Sequence, residues 1–259
     1  MTMRDPLRCL SLLAALVLLG ACASSKPAPA NLPPEIDPND PLAATMLMQQ
    51  GQALVAEGKI PDGMAKFKLA LSIQPKNPTV YNLIGMAELQ SGKPAKALDA
   101  FNNALTLAPQ YSDARNNRGA AYIQLGQYAM AEADFLAVLG DPTEANRAGV
   151  YFNLGSLYFS RGNLAAAEEN LRRAAVPTGP VEAYFMLGQV EERLGQAARA
   201  EAAYRDAAAR APERADIAFA LGKLLESQGR KDEAMALFRR VIALAPNSAE
   251  AQQARARLE

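Results

Sequence analysis

"GMAELQSGKPAKALDAFNNALTLAP", residues 85–109, contains the pattern that decides the fold. Gly85 and Gly92 stand seven residues apart, Ala97 comes twelve residues after the first glycine, and Phe101 comes four residues later. The pattern occurs six times, and successive first glycines are spaced by 34, 34, 36, 33 and 34 residues. The glycine pairs lie at 51/58, 85/92, 119/126, 155/162, 188/195 and 222/229. A regular period of this length predicts an array of repeated supersecondary units.

Each unit has the residues expected of a helical hairpin. The first glycine and the small residue let two helices approach closely, and the second glycine permits the backbone of the turn. The bulky residue is predicted to fill the gap to the next unit, and a proline ends the second helix because it lacks an amide donor. The small residues are Gly63, Ala97, Ala131, Ala167, Ala200 and Ala234, the bulky ones are Phe67, Phe101, Phe135, Leu171, Tyr204 and Phe238, and the prolines are Pro75, Pro109, Pro142, Pro212 and Pro246.

These units resemble tetratricopeptide repeats, helix-turn-helix units of 34 residues. The resemblance implies an all-α fold, a right-handed superhelical solenoid of six repeats in residues 44–248. The polar residues 249–259 are predicted to form a C-terminal capping helix. The repeats are predicted at about 44–77, 78–111, 112–145, 148–180, 181–214 and 215–248.

The first residues of the chain are typical of an export signal. An uncharged, mostly apolar run from Cys9 to Ala23 reaches roughly 22 Å as a helix, which is too short for a hydrocarbon core of about 30 Å. Basic residues precede the run and small residues end it, so residues 1–21 are predicted to be a signal peptide. The order Leu-Gly-Ala-Cys at 19–22 resembles the lipobox of bacterial lipoproteins, which implies that Cys22 carries a covalent lipid. The alternative is a plain signal peptide with a chance cysteine.

Residues 22–43 are predicted to be a lipidated cysteine followed by a tether. The stretch "ASSKPAPANLPPEIDPNDPLA" at 23–43 contains six prolines and few large apolar side chains. Proline fixes φ and removes amide donors, so an extended tether of up to roughly 60 Å is expected. It would hold the folded part away from its membrane.

The composition argues against several functional classes. Two Arg and one Asp leave with the leader, so 25 basic and 26 acidic side chains remain and no basic excess favours nucleic acid. The chain has no histidine, and Cys9 and Cys22 are its only cysteines. No phosphate-binding glycine motif is present. We therefore expect no enzymatic activity, no cofactor, no metal and no small-molecule substrate.

The repeat pattern also predicts a binding groove. In tetratricopeptide repeats the first helix lines the concave face, with positions 2, 5, 9 and 12 of each repeat pointing inward; we call these the inner positions. Position 5 is Met48, Asn82, Asn116, Phe152, Phe185 and Phe219, and position 12 is Val55, Leu89, Ile123, Phe159, Glu192 and Glu226. Apolar side chains left in contact with water usually mark a partner site. The predicted groove residues are Met48, Asn82, Leu89, Asn116, Ile123, Phe152, Phe159, Phe185 and Phe219, and the alternative is that superhelical packing buries some of the rings.

Residues 114–174 resemble the central repeats of type IV pilus pilotin lipoproteins, the PilF, PilW and Tgl group. The likeness lies in Asn116-Asn117 before Gly119, Asp141-Pro142 in place of an ordinary repeat end, Arg147-Ala148, and Tyr151 with Asn153-Leu154-Gly155. Arg118 departs from the pattern, because relatives tend to have an aromatic residue there.

This resemblance implies an adaptor that helps the pilus secretin assemble as a multimer in the outer membrane. The secretin would be the partner, and the lipid on Cys22 would anchor a domain that faces the periplasm. Ala23 after Cys22, rather than Asp, agrees with sorting to the outer membrane. Two alternatives stay open: a scaffold lipoprotein of another envelope machine, such as β-barrel assembly or cell-wall synthesis, and an enzyme or enzyme subunit.

Overall fold

A computed structural model of the chain describes residues 36–37, 40–141 and 147–259. These residues form thirteen α-helices and no strand. The helices are α1 (Ala43–Ala56), α2 (Ile60–Ile73), α3 (Pro78–Gln90), α4 (Pro94–Leu107), α5 (Ser112–Gln124), α6 (Tyr128–Leu139), α7 (Arg147–Ser160), α8 (Leu164–Ala174), α9 (Val181–Arg193), α10 (Ala197–Arg210), α11 (Ala215–Ser227), α12 (Lys231–Leu244) and α13 (Ala249–Leu258).

The helices pack as six hairpins, numbered 1 to 6 from α1–α2 to α11–α12, with α13 covering the last hairpin. Each helix also contacts the next one along the chain, so the hairpins stack in sequence order. The predicted all-α solenoid of six repeats with a C-terminal capping helix is confirmed.

The turn inside each hairpin depends on its second glycine. Gly58, Gly92, Gly126, Gly162, Gly195 and Gly229 all have positive φ, between 69° and 79°. This left-handed conformation lets the two amides at the end of the first helix turn back to its last carbonyls. In hairpin 1 the amide of Gly58 donates to Val55 and that of Lys59 donates to Leu54, at 3.0 and 2.8 Å.

The first glycine of each unit lies against the bulky residue of the same hairpin. A Cβ atom added to Gly119 would lie 2.5 Å from the ring of Phe135, and one added to Gly222 would lie 2.7 Å from the ring of Phe238. All six bulky side chains are buried. The bulky residue therefore closes its own hairpin as well as packing toward the next unit, as Phe101 does against Ala121.

The closing prolines end the second helices as predicted. Helices α2, α4, α10 and α12 each end two residues before Pro75, Pro109, Pro212 and Pro246. The interval between α6 and α7 is different, which accounts for the 36-residue spacing. There the Arg147 guanidinium donates to the backbone carbonyl of Asp141 at 3.1 Å, so the two ends of the interval are held together.

The described N-terminal residues pack onto hairpin 1. Ile36 is buried in the same apolar cluster as Leu47 and Phe67. Ile36 therefore packs in the fold although it lies seven residues before the predicted end of the tether at residue 43. Cys22, the predicted signal peptide and the tether up to residue 35 lie outside the described residues, as does Pro142.

We expect Gly85→Ala to lower the free energy of unfolding by about 1–3 kcal/mol, because the new methyl group would overlap the fully buried ring of Phe101. Urea unfolding followed by circular dichroism measures the change. Gly140→Ala is the matched control: its backbone is right-handed helical and its nearest contact would be an ordinary 3.4 Å. The control should leave stability unchanged or raise it by up to about 1 kcal/mol. Equal effects of the two substitutions would contradict the close glycine contact.

Candidate functional site

The inner layer of the array is formed by the odd-numbered helices. Some helices that are two apart in chain order also contact each other: α1 and α3, α3 and α5, α5 and α7, α7 and α9, and α11 and α13. Even-numbered helices make no comparable contacts with each other within the described residues. The odd-numbered helices are therefore the more closely spaced layer, which is the concave side of a curved array.

The predicted groove residues all lie on this inner layer, but their exposure differs. Met48, Leu89, Asn116, Ile123, Phe152, Phe159 and Phe185 are half-buried. Asn82 and Phe219 are buried, with 5% and 8% of their surface exposed. The expectation that position 5 exposes its ring is therefore wrong for Phe219. The role of the other residues in binding a partner stays a prediction.

Phe219 is buried because residues from two other helices cover it. Its ring centroid lies 5.9 Å from that of Phe238 in a tilted arrangement. The guanidinium of Arg257 on α13 lies 5.5 Å from the ring centroid of Phe219, and the Lys223 ammonium lies 5.9 Å from it. Phe219 thus belongs to the core of hairpin 6 and its capping helix.

Two other inner rings are also covered by arginine. The guanidinium of Arg193 lies 4.5 Å from the centroid of Phe159, a distance at which a cation is attracted to the face of an aromatic ring. Arg214 lies 5.5 Å from the centroid of Phe185, whose other neighbour is Tyr204 at 5.8 Å. No stacked ring or cation is found on Phe152 among the described residues. Its ring is half-buried and packs against the cluster that contains Leu171 and Leu187.

Amide side chains join neighbouring helices on the same face. Asn117 donates to Asn82 at 3.0 Å, and Asn153 donates to Asn116 at 2.9 Å. Asn82 also donates to the hydroxyl of Tyr111 at 3.4 Å. Asn117 and Asn153 were not among the predicted groove residues, although their recurrence one repeat after an asparagine is visible in the sequence. Met86, at inner position 9, was also missed and is 46% exposed.

Arg118, the residue that departs from the pilotin pattern, neutralises a buried carboxylate. Its guanidinium binds both oxygens of Asp134 at 2.7 and 2.8 Å and lies 5.8 Å from the ring centroid of Tyr122. The hydrogen bond to Asp134 raises the pKa of Arg118 above its usual value, against the opposing effect of burial. Arg118 therefore joins the two helices of hairpin 3, a role that an aromatic residue would fill by packing.

The described residues contain no cluster of three or more metal-binding side chains. No helix among those residues is long and apolar enough to cross a membrane. What the inner face offers is half-buried apolar side chains and amides, which are groups suited to binding another polypeptide.

Comparison with known proteins agrees with this geometry. Tetratricopeptide repeat models match residues 82–148 and 185–249, and a second model of the same repeat matches 148–175. A search of curated proteins finds no match.

Several solved structures have a similar fold. PilW, a widely conserved type IV pilus biogenesis factor, is 22% identical, with 81% of this chain and 97% of PilW covered at a TM-score of 0.72. PilF of Pseudomonas aeruginosa is 18% identical, with 82% of this chain and 96% of PilF covered at a TM-score of 0.71. A chain of the Cut9–Hcn1 hetero-tetramer of APC/C is 16% identical, with 85% of this chain and 44% of that chain covered at a TM-score of 0.71. At these identities the likeness shows the fold alone.

We expect Phe219→Ala to lower the free energy of unfolding by about 3–5 kcal/mol, the usual cost of removing a buried phenylalanine ring. Phe152→Ala should cost less than half as much, because its ring is only half-buried. Urea denaturation of both variants measures the difference. Equal losses would show that Phe152 is as much a core residue as Phe219.

Proposed function

Because the chain belongs to the tetratricopeptide repeat family, we propose that it is a non-catalytic adaptor that binds a segment of the type IV pilus secretin on its inner face. In doing so it promotes assembly of the secretin multimer in the outer membrane, and so supports pilus biogenesis and pilus-dependent motility. The observation that carries the proposal is the inner row of half-buried apolar side chains, from Met48 to Phe185.

The choice of a pilus partner rests on the sequence. The stretch from Asn116 to Gly155 resembles pilotin lipoproteins in several independent positions, including the interval after Asp141. PilW and PilF have the same fold over nearly their whole length, which is compatible with this choice. Because Cut9–Hcn1 has an equally similar fold, the sequence pattern and not the fold distinguishes the pilus role.

The proposed mechanism requires an anchor in the outer membrane, a tether between the anchor and the repeats, and an inner face that binds the secretin segment. A lipid on Cys22 would keep the protein at the outer membrane with its repeats in the periplasm. Each buried methylene of an acyl chain contributes about 0.8 kcal/mol, so a cysteine with several chains stays anchored. The residues between Cys22 and Ile36 would let hairpin 1 stand away from the bilayer. Binding a secretin segment would remove apolar surface of both partners from water, which favours association and is partly offset by the ordering of the segment.

Deleting the gene should abolish detergent-resistant secretin multimers while leaving bulk outer-membrane β-barrel proteins at normal levels. Immunoblots of unheated membrane samples measure both. A loss of bulk β-barrel proteins, or secretin multimers that stay unchanged, would contradict the secretin role. The first of these results would instead favour a scaffold of another envelope machine.

Cys22→Ala should release the protein from the membrane and reduce secretin multimers, while the repeats stay folded. The reason is that the lipid, and not the repeats, is proposed to hold the protein at the membrane. Fractionation in high salt measures the release, and circular dichroism of the released protein checks the helices. A variant that still fractionates with outer membrane would contradict the anchor.

A further inference from the structure

The inner face is divided into a nearly uncharged part and a charged part. Hairpins 1 to 4 contribute sixteen inner positions, of which only Asp113 is charged. Hairpins 5 and 6 contribute eight inner positions, of which five are charged. These five residues are Glu182, Glu192, Asp216, Lys223 and Glu226. The boundary between the two parts falls where Phe159 of hairpin 4 meets hairpin 5.

Most of the acidic side chains in the charged part are already paired. The Arg214 guanidinium binds Glu182 at 3.0 Å and Asp216 at 2.6 Å. Glu226 accepts from Arg257 at 3.1 Å. Each of these three carboxylates therefore has an arginine within ion-pair distance, although Glu182 and Asp216 share the one guanidinium of Arg214.

Glu192 differs from them. It is exposed, and no cation lies within ion-pair distance of it among the residues that the structure describes. The neighbouring Arg193 is stacked on Phe159. The partner of Glu192 is the neutral hydroxyl of Tyr204, which donates to Oε2 at 2.9 Å.

Tyr204 holds this carboxylate in place without cancelling its charge. The phenol is buried, and burial together with the hydrogen bond to Glu192 raises the pKa of Tyr204. It therefore stays protonated and keeps donating. Glu192 is a carboxylate held by one hydrogen bond, whose other oxygen is not used by Tyr204, at the point where the nearly uncharged part of the inner face ends.

We propose that the inner face binds a segment that is apolar and uncharged along hairpins 1 to 4 and places a lysine or arginine on Glu192 at hairpin 5. This rests on the proposed function and states the chemistry of the secretin segment that it requires. Charge complementarity selects the basic residue: an acidic side chain at this point would meet Glu192, and an apolar one would leave the carboxylate desolvated.

The spacing of the helices fixes the length of that segment. Helix axes that pack directly lie about 8–10 Å apart, so the four steps from α1 to α9 cover roughly 32–40 Å. An extended chain advances about 3.3 Å per residue, so about ten to twelve residues cover this distance. The bound segment therefore has an uncharged run of about ten residues with its basic residue at one end.

The test uses the full mature lipoprotein in detergent and labelled overlapping peptides that cover the secretin of the same organism. Fluorescence anisotropy gives the dissociation constants. Peptides that bind should share the uncharged run and the terminal basic residue. Glu192→Gln should raise the dissociation constants of these peptides about three- to fivefold, which is the effect expected from losing an exposed ion pair. The glutamine keeps an acceptor for the Tyr204 hydroxyl. Replacing the basic residue of the peptide by Gln should have the same effect, and the two effects should not add.

Glu213→Gln is the matched control, because Glu213 is exposed and lies outside the inner positions. It should leave binding unchanged. Peptides that bind wild type and Glu192→Gln equally would overturn the charge match and leave secretin binding standing. Failure of every secretin peptide to bind would overturn the proposed secretin role and the charge match with it.

Discussion

The contact on which the structure depends is a glycine of one helix lying under a bulky side chain of the next. In each hairpin the added Cβ of that glycine would overlap Phe67, Phe101, Phe135, Leu171, Tyr204 or Phe238. The close approach places the bulky side chain directly over the glycine, and the period of 33 to 36 residues repeats the contact along the chain. A solenoid follows because each hairpin has an apolar face that the next hairpin covers, and α13 covers that of the last one.

Packing the core in this way determines which side chains stay available for a partner. The first helices form the inner layer, so their positions 5 and 12 lie on the inner face, where the exposure of each side chain depends on what packs over it. Where arginine covers the ring, as on Phe159, Phe185 and Phe219, the aromatic residue belongs to the protein's own packing. Phe152 is half-buried like Phe159 and Phe185, but no cation lies over its ring among the described residues. The same face has one charged inner position in hairpins 1 to 4 and five in hairpins 5 and 6, so one surface offers both apolar and charged groups to a partner.

The sequence predicts the fold nearly completely because the fold depends on local spacing. The turn glycines, the ends of the helices at the prolines and the six hairpins all follow from residues within one period. The exposure of single side chains does not follow, because it depends on residues far along the chain: Phe219 is buried by Arg257, and Ile36 packs on hairpin 1. The pair of Arg118 and Asp134 was missed although its sixteen-residue separation equals that of each glycine and its bulky partner. The predicted lipid anchor concerns residues outside those described, and the predicted binding role of the groove concerns a partner that the chain alone does not contain.

The central claim is that the inner face, and not the outer one, binds the secretin. Photo-crosslinking in living cells tests it most directly, with benzoylphenylalanine placed at Phe152 on α7 and, separately, at Leu136, which is 52% exposed on the outer-layer helix α6. The account predicts a crosslink to the secretin from position 152 and none from position 136. A secretin crosslink from position 136 without one from position 152 would contradict it.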